Sequence, residues 1–316
     1  MSKKIIAVTG ATGAQGGGLA RAILRDPSGE FSLRAITRKP DSDKAKALAA
    51  AGAEVVAADL DDPASLRAAF TGAWGAFCLT NFWEHFSGKK ETEQGRALAA
   101  AAGAAGVQHA IWSTFEDARK YVPLTDDRMP TLQGEYKVAH FDAKADADAA
   151  FTEAGVPTTF LLTSGYYENF IHFGWGPQRM PDGGLALVFC LDDAKMPMIG
   201  VEDIGKCAFG IFKQGSAYLG KTVGVAGDHL SGGEMAAALT KALGQPVAYN
   251  AVPPDVYRSF GFPGADDVGN MFQFKRDFNE IYRQHRSLEE SRRLNPELQT
   301  LEAWLEDNAS KIPLPA

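Results

Sequence analysis

A chain of 316 residues with 45% hydrophobic content is long enough to bury a sizeable core, as one large domain or two adjoining ones. Its 32 Lys and Arg stand against 39 Asp and Glu, a net charge of −7 at pH 7. Binding through a phosphate backbone needs a basic face, so direct nucleic-acid recognition is excluded.

The chain opens Met1-Ser2-Lys3-Lys4 and passes straight into the apolar run Ile5 to Val8, too short for a signal core or a membrane span. The expectation is a cytoplasmic protein with no membrane partner. Short β-rich runs follow at Leu33 to Ile36, Glu54 to Ala58, Ala76 to Leu79, Ala110 to Trp112 and Thr159 to Leu162. Between them, Leu19 to Arg25, Lys44 to Ala51, Ala64 to Phe70 and Thr92 to Ala105 carry Ala, Leu and charged residues at helical periodicity. This βα alternation predicts an α/β fold, a Rossmann-type doubly wound parallel sheet with right-handed crossovers. The alternation breaks after Thr163, which places a domain boundary there: residues 1–163 as the dinucleotide-binding domain, and 164–316 as a smaller α+β lobe interleaved with the sheet of the first. Tyr, Phe, Trp, Gly and Pro crowd Ser164 to Gly184, which reads as a long functional loop. Beyond it come a strand at Leu185 to Phe189, a helix starting at Val201, a strand near Thr222 to Val225 and a helix from Gly233 to Leu243.

Cys78, Cys190 and Cys207 lie far apart among apolar residues, as buried thiols in a reducing compartment do. The six histidines form no HxxxH or HExxH spacing and no GxSxG elbow occurs, so neither a metal site nor a simple hydrolase site is expected.

The residues that carry chemistry begin with Thr9-Gly10-Ala11-Thr12-Gly13-Ala14-Gln15-Gly16, a GxxGxxG loop between an apolar strand and an amphipathic helix. In that context the glycines permit the tight turn, the approach of backbone to a pyrophosphate and close helix–strand packing. The second strand ends Thr37-Arg38-Lys39, where a carboxylate would bind the ribose of NAD. A guanidinium there suits a 2′-phosphate and favours NADP(H), unless Arg38 and Lys39 are merely a solvated pair. Asp59 and Leu60 end the third strand, with Asp59 either facing adenine or capping the next helix. Thr80 and Asn81 end the fourth, where small polar groups face ribose or pyrophosphate.

Short-chain reductases place Tyr and Lys at i, i+4 on one helix, with a serine nearby. The corresponding helix reads Tyr136 to Lys144, and four residues before Lys144 stands His140 rather than tyrosine. Ser113 ends the fifth strand. His140, Lys144 and Ser113 are therefore the catalytic candidates, His140 as proton donor. The opposing reading gives Lys144 to the cofactor ribose or carboxamide and leaves His140 as packing. Phe82, Trp83, Tyr166, Tyr167, Phe170 and Trp175 either line a pocket or pack the lobes.

Further motifs are Thr80-Asn81-Phe82-Trp83-Glu84, His140-Phe141-Asp142-Ala143-Lys144, Tyr166-Tyr167-Glu168-Asn169, Gly261-Phe262-Pro263-Gly264-Ala265 and Asn270-Met271-Phe272. With the glycine loop they resemble the NmrA-like family, an atypical branch of the short-chain dehydrogenases/reductases, and are similar to its animal NADP(H)-sensing members. The resemblance spans nearly the whole chain. It implies NADP(H) contacts from Gly10 to Gln15, Arg38, Asp59, Leu60, Thr80, Asn81, Lys144 and Tyr166, Tyr167, Glu168 and Asn169. It also implies a redox sensor that binds a regulatory protein with little or no dehydrogenase turnover. Isoflavone-reductase-like and quinone-reductase-like members of the wider branch reduce small molecules, so an NADPH-dependent reductase of a quinone, enone or other carbonyl is the alternative. A homodimer stands open. Ser42 and Asp43 replace basic residues of similar sensors and Glu93 replaces a cofactor-proximal lysine, which predicts a weaker 2′-phosphate clamp.

Overall fold

The computed structural model describes Lys3 to Pro315; Met1, Ser2 and Ala316, the outermost residues of the two expected domains, lie outside it. Two compact units divide the chain. One is built from residues up to Asp117, His140–Leu162 and Glu202–Val223, the other from Ala118–Ala139, Thr163–Val201 and Gly224 onward.

The first unit holds the expected α/β sheet. Its strands are β1 (Lys4–Thr9), β2 (Phe31–Thr37), β3 (Glu54–Ala57), β4 (Gly75–Cys78), β5 (His109–Thr114) and β6 (Thr158–Leu162). The strand Thr222–Gly224 joins β6, and from that edge the order runs β6, β5, β4, β1, β2, β3. β1 pairs in parallel with both β2 and β4, so the chain reverses direction across the sheet at β1, where a crevice opens beyond the strand ends. Burial explains the strand sequences. Every residue of β4 and β5 is buried, as near-continuous apolar runs covered on both faces should be, whereas the outermost strand β3 has none buried.

Helices α1 (Gln15–Arg25), α2 (Asp43–Ala50), α3 (Pro63–Phe70), α4 (Gly88–Ala104) and α5 (Ala139–Glu153) connect these strands. Small residues set the spacing: a Cβ on Gly95 of α4 would stand 2.6 Å from the Ala147 Cβ of α5 and 3.3 Å from the Trp112 ring. Trp112 is fully buried and stacks on Phe151 at 5.2 Å, while its indole N–H donates to Asp148 at 2.8 Å. Large aromatics with a satisfied polar edge carry much of such a core.

Two sequence expectations are corrected. Tyr136 is not on the α5 helix: it pairs with Leu132 in an antiparallel bridge, and α5 starts at Ala139, whose N–H donates to the Asp267 carboxylate. A capping carboxylate from a distant segment is invisible to local periodicity. The strand expected near Thr222 is present as Thr222–Gly224 and extends the sheet beside β6. Ser164 to Gly184 is not one loop. It contains the strand Gly165–Tyr166, the one-turn helix Asn169–His172 and the strand Gln178–Arg179, each too short for a periodic signal.

The second unit has two three-stranded sheets. In one, Met196–Ile199 lies between Gly165–Tyr166 and Asp228–Leu230; in the other, Leu185–Phe189 lies between Gln178–Arg179 and Val247–Ala251. The Asn270 amide on the helix Ala265–Asp277 donates to the Pro130 and Lys137 carbonyls, giving that motif a bracing role within the unit.

Candidate functional site

The crevice beside β1 is shaped by Thr9, whose hydroxyl donates to the Phe77 carbonyl and accepts the Leu79 N–H at 2.8 Å, tying the ends of β1 and β4 together. Gly10 then turns with φ 64°, a left-handed conformation that favours glycine, and its carbonyl accepts the Gly13 N–H at 2.8 Å. Gly16 lies against the turn so closely that a Cβ would stand 2.5 Å from the Gly10 oxygen. Behind α1, a Cβ on Gly205 would stand 2.1 Å from the Gly18 backbone, so the helix Val201–Gln214 holds the loop's helix from its far side.

The start of α1 differs from its neighbours. Ser42, Asp62 and Ser87 cap α2, α3 and α4 through their side chains, but Ala14 gives α1 no side-chain cap, and no acidic residue occupies its first turn. Backbone donors and the positive end of the helix dipole are thus left for an anion.

A cleft of about 330 Å³ opens at this point. Of the residues named from sequence, Gly10, Thr12, Gly13, Arg38, Asp59, Leu60, Thr80 and Asn81 line it, together with Lys39, Ser42, Lys44 and Glu84. Ala11, Ala14 and Gln15 belong to the loop and helix start but not to the lining. Glu93 is exposed on α4. Arg38 is exposed and its guanidinium pairs with the Glu84 carboxylate; that hydrogen bond, with the charges of Glu84, Asp59 and Asp61, raises the basicity of Arg38 against the smaller opposing effect of partial burial. The uncapped helix end and the cationic rim of Arg38, Lys39 and Lys44 fit a dinucleotide bearing a pyrophosphate and a 2′-phosphate.

None of the three catalytic candidates lines this cleft. Ser113 is fully buried and donates to Gln15 Oε1 at 2.8 Å. His140 is packed among aromatic rings, 4.9 Å from Trp83, 4.7 Å from Phe141 and 5.9 Å from both Phe82 and Phe115 between centroids. Lys144 is 2.8 Å from Glu91 Oε1 and donates to the hydroxyl and carbonyl of Thr80. The Thr80 hydroxyl donates in turn to Glu91 at 2.6 Å, and His85 Nε2 stands 3.4 Å from the other Glu91 oxygen. Burial alone would raise the Glu91 carboxyl; Lys144, His85 and Thr80 more than offset it and hold it at about 2.

Glu84 and Glu91 were not singled out from sequence. On the polar helix α4 Glu91 reads as solvated surface, Glu84 enters only as the last residue of a motif, and only the fold brings Glu91 to Lys144 or Glu84 to Arg38.

The remaining named residues lie in the second unit. The Tyr167 hydroxyl donates to Asp228 at 3.2 Å. Glu168 accepts from the Trp304 indole and the Val201 N–H, and Asn169 begins a helical turn with Phe170 buried behind it. Tyr166 is half-buried at the end of its strand. Trp175 packs on Phe189 and Phe272, so of the six aromatics weighed from sequence, Tyr167 and Trp175 have packing partners here and Phe82 and Trp83 surround His140 in the first unit.

Cys78, Cys190 and Cys207 are buried, and burial pushes Cys190 up to about 12. Among the described residues no cluster of three His, Cys, Asp or Glu is placed to hold a metal ion, and no helix is long and apolar enough to cross a membrane.

The chain is similar to known proteins over almost its whole length. An NmrA-like oxidoreductase, FrzB of Cladobotryum sp., is 33% identical over 292 residues, 85% of this chain and 83% of that protein. A second, malD of Malbranchea aurantiaca, is 30% identical over 78% of this chain and 75% of its own length. Among solved structures, NmrA, a negative transcriptional regulator, in complex with NADP matches with TM-score 0.76 at 24% identity, covering 98% of this chain and 96% of that one. Citrobacter sp. triphenylmethane reductase complexed with NADP(H) matches with TM-score 0.74 at 22% identity, covering 96% and 99%; at these identities both show a shared fold. The NmrA-like family model matches residues 2–305, and the chain belongs to the NmrA-like family.

Proposed function

We propose that the chain binds NADP(H) in the cleft beside β1 and reads the redox state of the nicotinamide pool, with little or no dehydrogenase turnover. One observation carries the reading: the cleft joins the uncapped start of α1 to a cationic rim of Arg38, Lys39 and Lys44, while His140 stands where short-chain reductases carry their tyrosine. Two similar structures, NmrA and the triphenylmethane reductase, are complexes with NADP or NADP(H), which supports the cofactor. In this reading the α1 end and residues Gly10 to Gln15 hold the pyrophosphate, Arg38 the 2′-phosphate, Asp59 and Leu60 the adenine side, and Thr80 and Asn81 the ribose side. When bound, NADPH supplies a hydride; the protein's own residues hold and orient it.

A cofactor drives a switch only if its two redox forms differ in affinity for two states of the protein. The reading therefore predicts unequal binding of NADP+ and NADPH, and cofactor-dependent capture of a regulatory protein or a change in self-association.

The naming of the relatives as oxidoreductases favours a second reading, NADPH-dependent reduction of a quinone, enone or other carbonyl. There His140 or a tyrosine donates the proton and Lys144 orients the nicotinamide ribose. Calorimetry with the four nicotinamide dinucleotides, followed by NADPH oxidation assays against quinones and enones, separates the two. Binding without consumption above background supports the sensor; sustained turnover supports the reductase.

A further inference from the structure

We propose that Glu84 sets how strongly the chain discriminates NADP(H) from NAD(H), by competing with the cofactor's 2′-phosphate for Arg38. The proposal rests on the reading of the cleft as a dinucleotide site.

The end of β2 contributes Arg38 and Lys39 but no carboxylate. Glu84 supplies one from elsewhere, out of the turn Phe82–Glu84 that follows β4. That turn is fixed: the Glu84 and Phe86 N–H groups donate to the Asn81 and Phe82 carbonyls, and Phe82 is buried against Trp83 and His140. The Glu84 backbone is thus anchored at the rim while its side chain, like that of Arg38, is about half exposed and able to swing, with side-chain exposures of 45% and 53%. Both residues line the cleft.

Glu84 Oε1 holds Arg38 at Nη2, so a phosphate arriving at that edge competes with the carboxylate for the same nitrogen and is repelled by it. NADP(H) must break the Arg38–Glu84 pair, whereas NAD(H) leaves it intact. This competition narrows the preference that Arg38, Lys39 and Lys44 would otherwise give.

The test is titration calorimetry of the full chain, wild type, Glu84→Gln and Glu84→Ala, with NADP+ and NAD+ and with the fragments 2′,5′-ADP and 5′-ADP. Both variants are expected to fold with unchanged melting temperature, since Glu84 is on the surface. The ratio of NADP+ to NAD+ affinity is expected to rise about two- to fivefold in Glu84→Gln, the range of an exposed ion pair, with the same direction for 2′,5′-ADP over 5′-ADP. Added salt should shrink the difference between variant and wild type. A ratio that stays constant or falls, or equal shifts for both cofactors, overturns the role of Glu84 while leaving the site assignment standing. Failure of the wild type to bind any of the four ligands overturns both.

Discussion

Lys144 and Glu91 form an ion pair, 2.8 Å between Nζ and Oε1, with side chains 7% and 0% exposed. The lysine that the sequence offers for cofactor or substrate work thus has its charge balanced inside the protein. Thr80 supplies two further acceptors, so each ammonium proton has a partner within reach.

Removing one member of such a pair strands the other. Glu91→Gln is expected to lower stability by about 3–5 kcal/mol, as breaking buried pairs does, and Glu91→Leu with Lys144→Met to recover much of the loss. Urea denaturation measures this; a cost under about 1 kcal/mol for Glu91→Gln would show that the pair is not structurally important.

The same pair gives an acid signature. The Glu91 carboxyl falls from 4.5 to about 2 in the folded protein, so its contribution is complete above pH 4.5 and is lost as the pH falls towards 2. The linked stability is about 3 kcal/mol. Stability measured against pH should drop through that window in the wild type and flatten there in Glu91→Gln.

His109 predicts a second, separate window. Burial holds its imidazole at about 4, below the ordinary 6.5, while Nε2 stands 2.9 Å from the Thr159 hydroxyl. A histidine kept neutral in the fold but protonated when unfolded stabilises fully above pH 6.5, and the contribution vanishes as the pH falls to 4, again about 3 kcal/mol. His109→Gln should remove the slope between pH 6.5 and 4 and leave the lower window unchanged.

The glycine loop and the sheet were legible because both are local. The spacing of Gly10, Gly13 and Gly16 and the apolar runs of β1 to β6 are written in consecutive residues, and the strands lie within a few residues of where periodicity puts them. Tyr136 was misplaced because its segment folds into a bridge with Leu132 instead of joining α5, a backbone pairing that helical spacing does not reveal. Arg38 was visible as a cation at a strand end, but not Glu84 beside it, since the ends of β2 and β4 become neighbours only in the folded crevice. His140 in the place of a reductase tyrosine could be read from the sequence; that Ser113 hydrogen-bonds to Gln15 needed the structure.

Gly16→Ala puts a methyl where the Gly10 carbonyl lies 2.5 Å away. Overpacking of this kind costs about 1–3 kcal/mol, and here it also distorts the turn. The expected outcome is a lower melting temperature and at least about a tenfold loss in NADP+ affinity, equivalent to about 1.4 kcal/mol, read by thermal melts and calorimetry; retention of both would contradict the role given to this turn.

Ser113→Ala leaves the Gln15 side-chain oxygen without its 2.8 Å donor. Stability should fall by about 1–3 kcal/mol, with any NADPH-dependent turnover unchanged once the protein is folded. A stable variant with turnover lowered by about a hundredfold, the scale of lost acid–base participation, would restore Ser113 to a catalytic role.

The central claim, a site for NADP(H) with Arg38 reading the 2′-phosphate, is tested most directly by titrating NADP+ and NAD+ into the wild type and Arg38→Gln. The account predicts tighter NADP+ binding in the wild type and loss of that preference in Arg38→Gln with NAD+ affinity nearly unchanged. Equal affinities in the wild type, or a variant weakened equally for both cofactors, would contradict it.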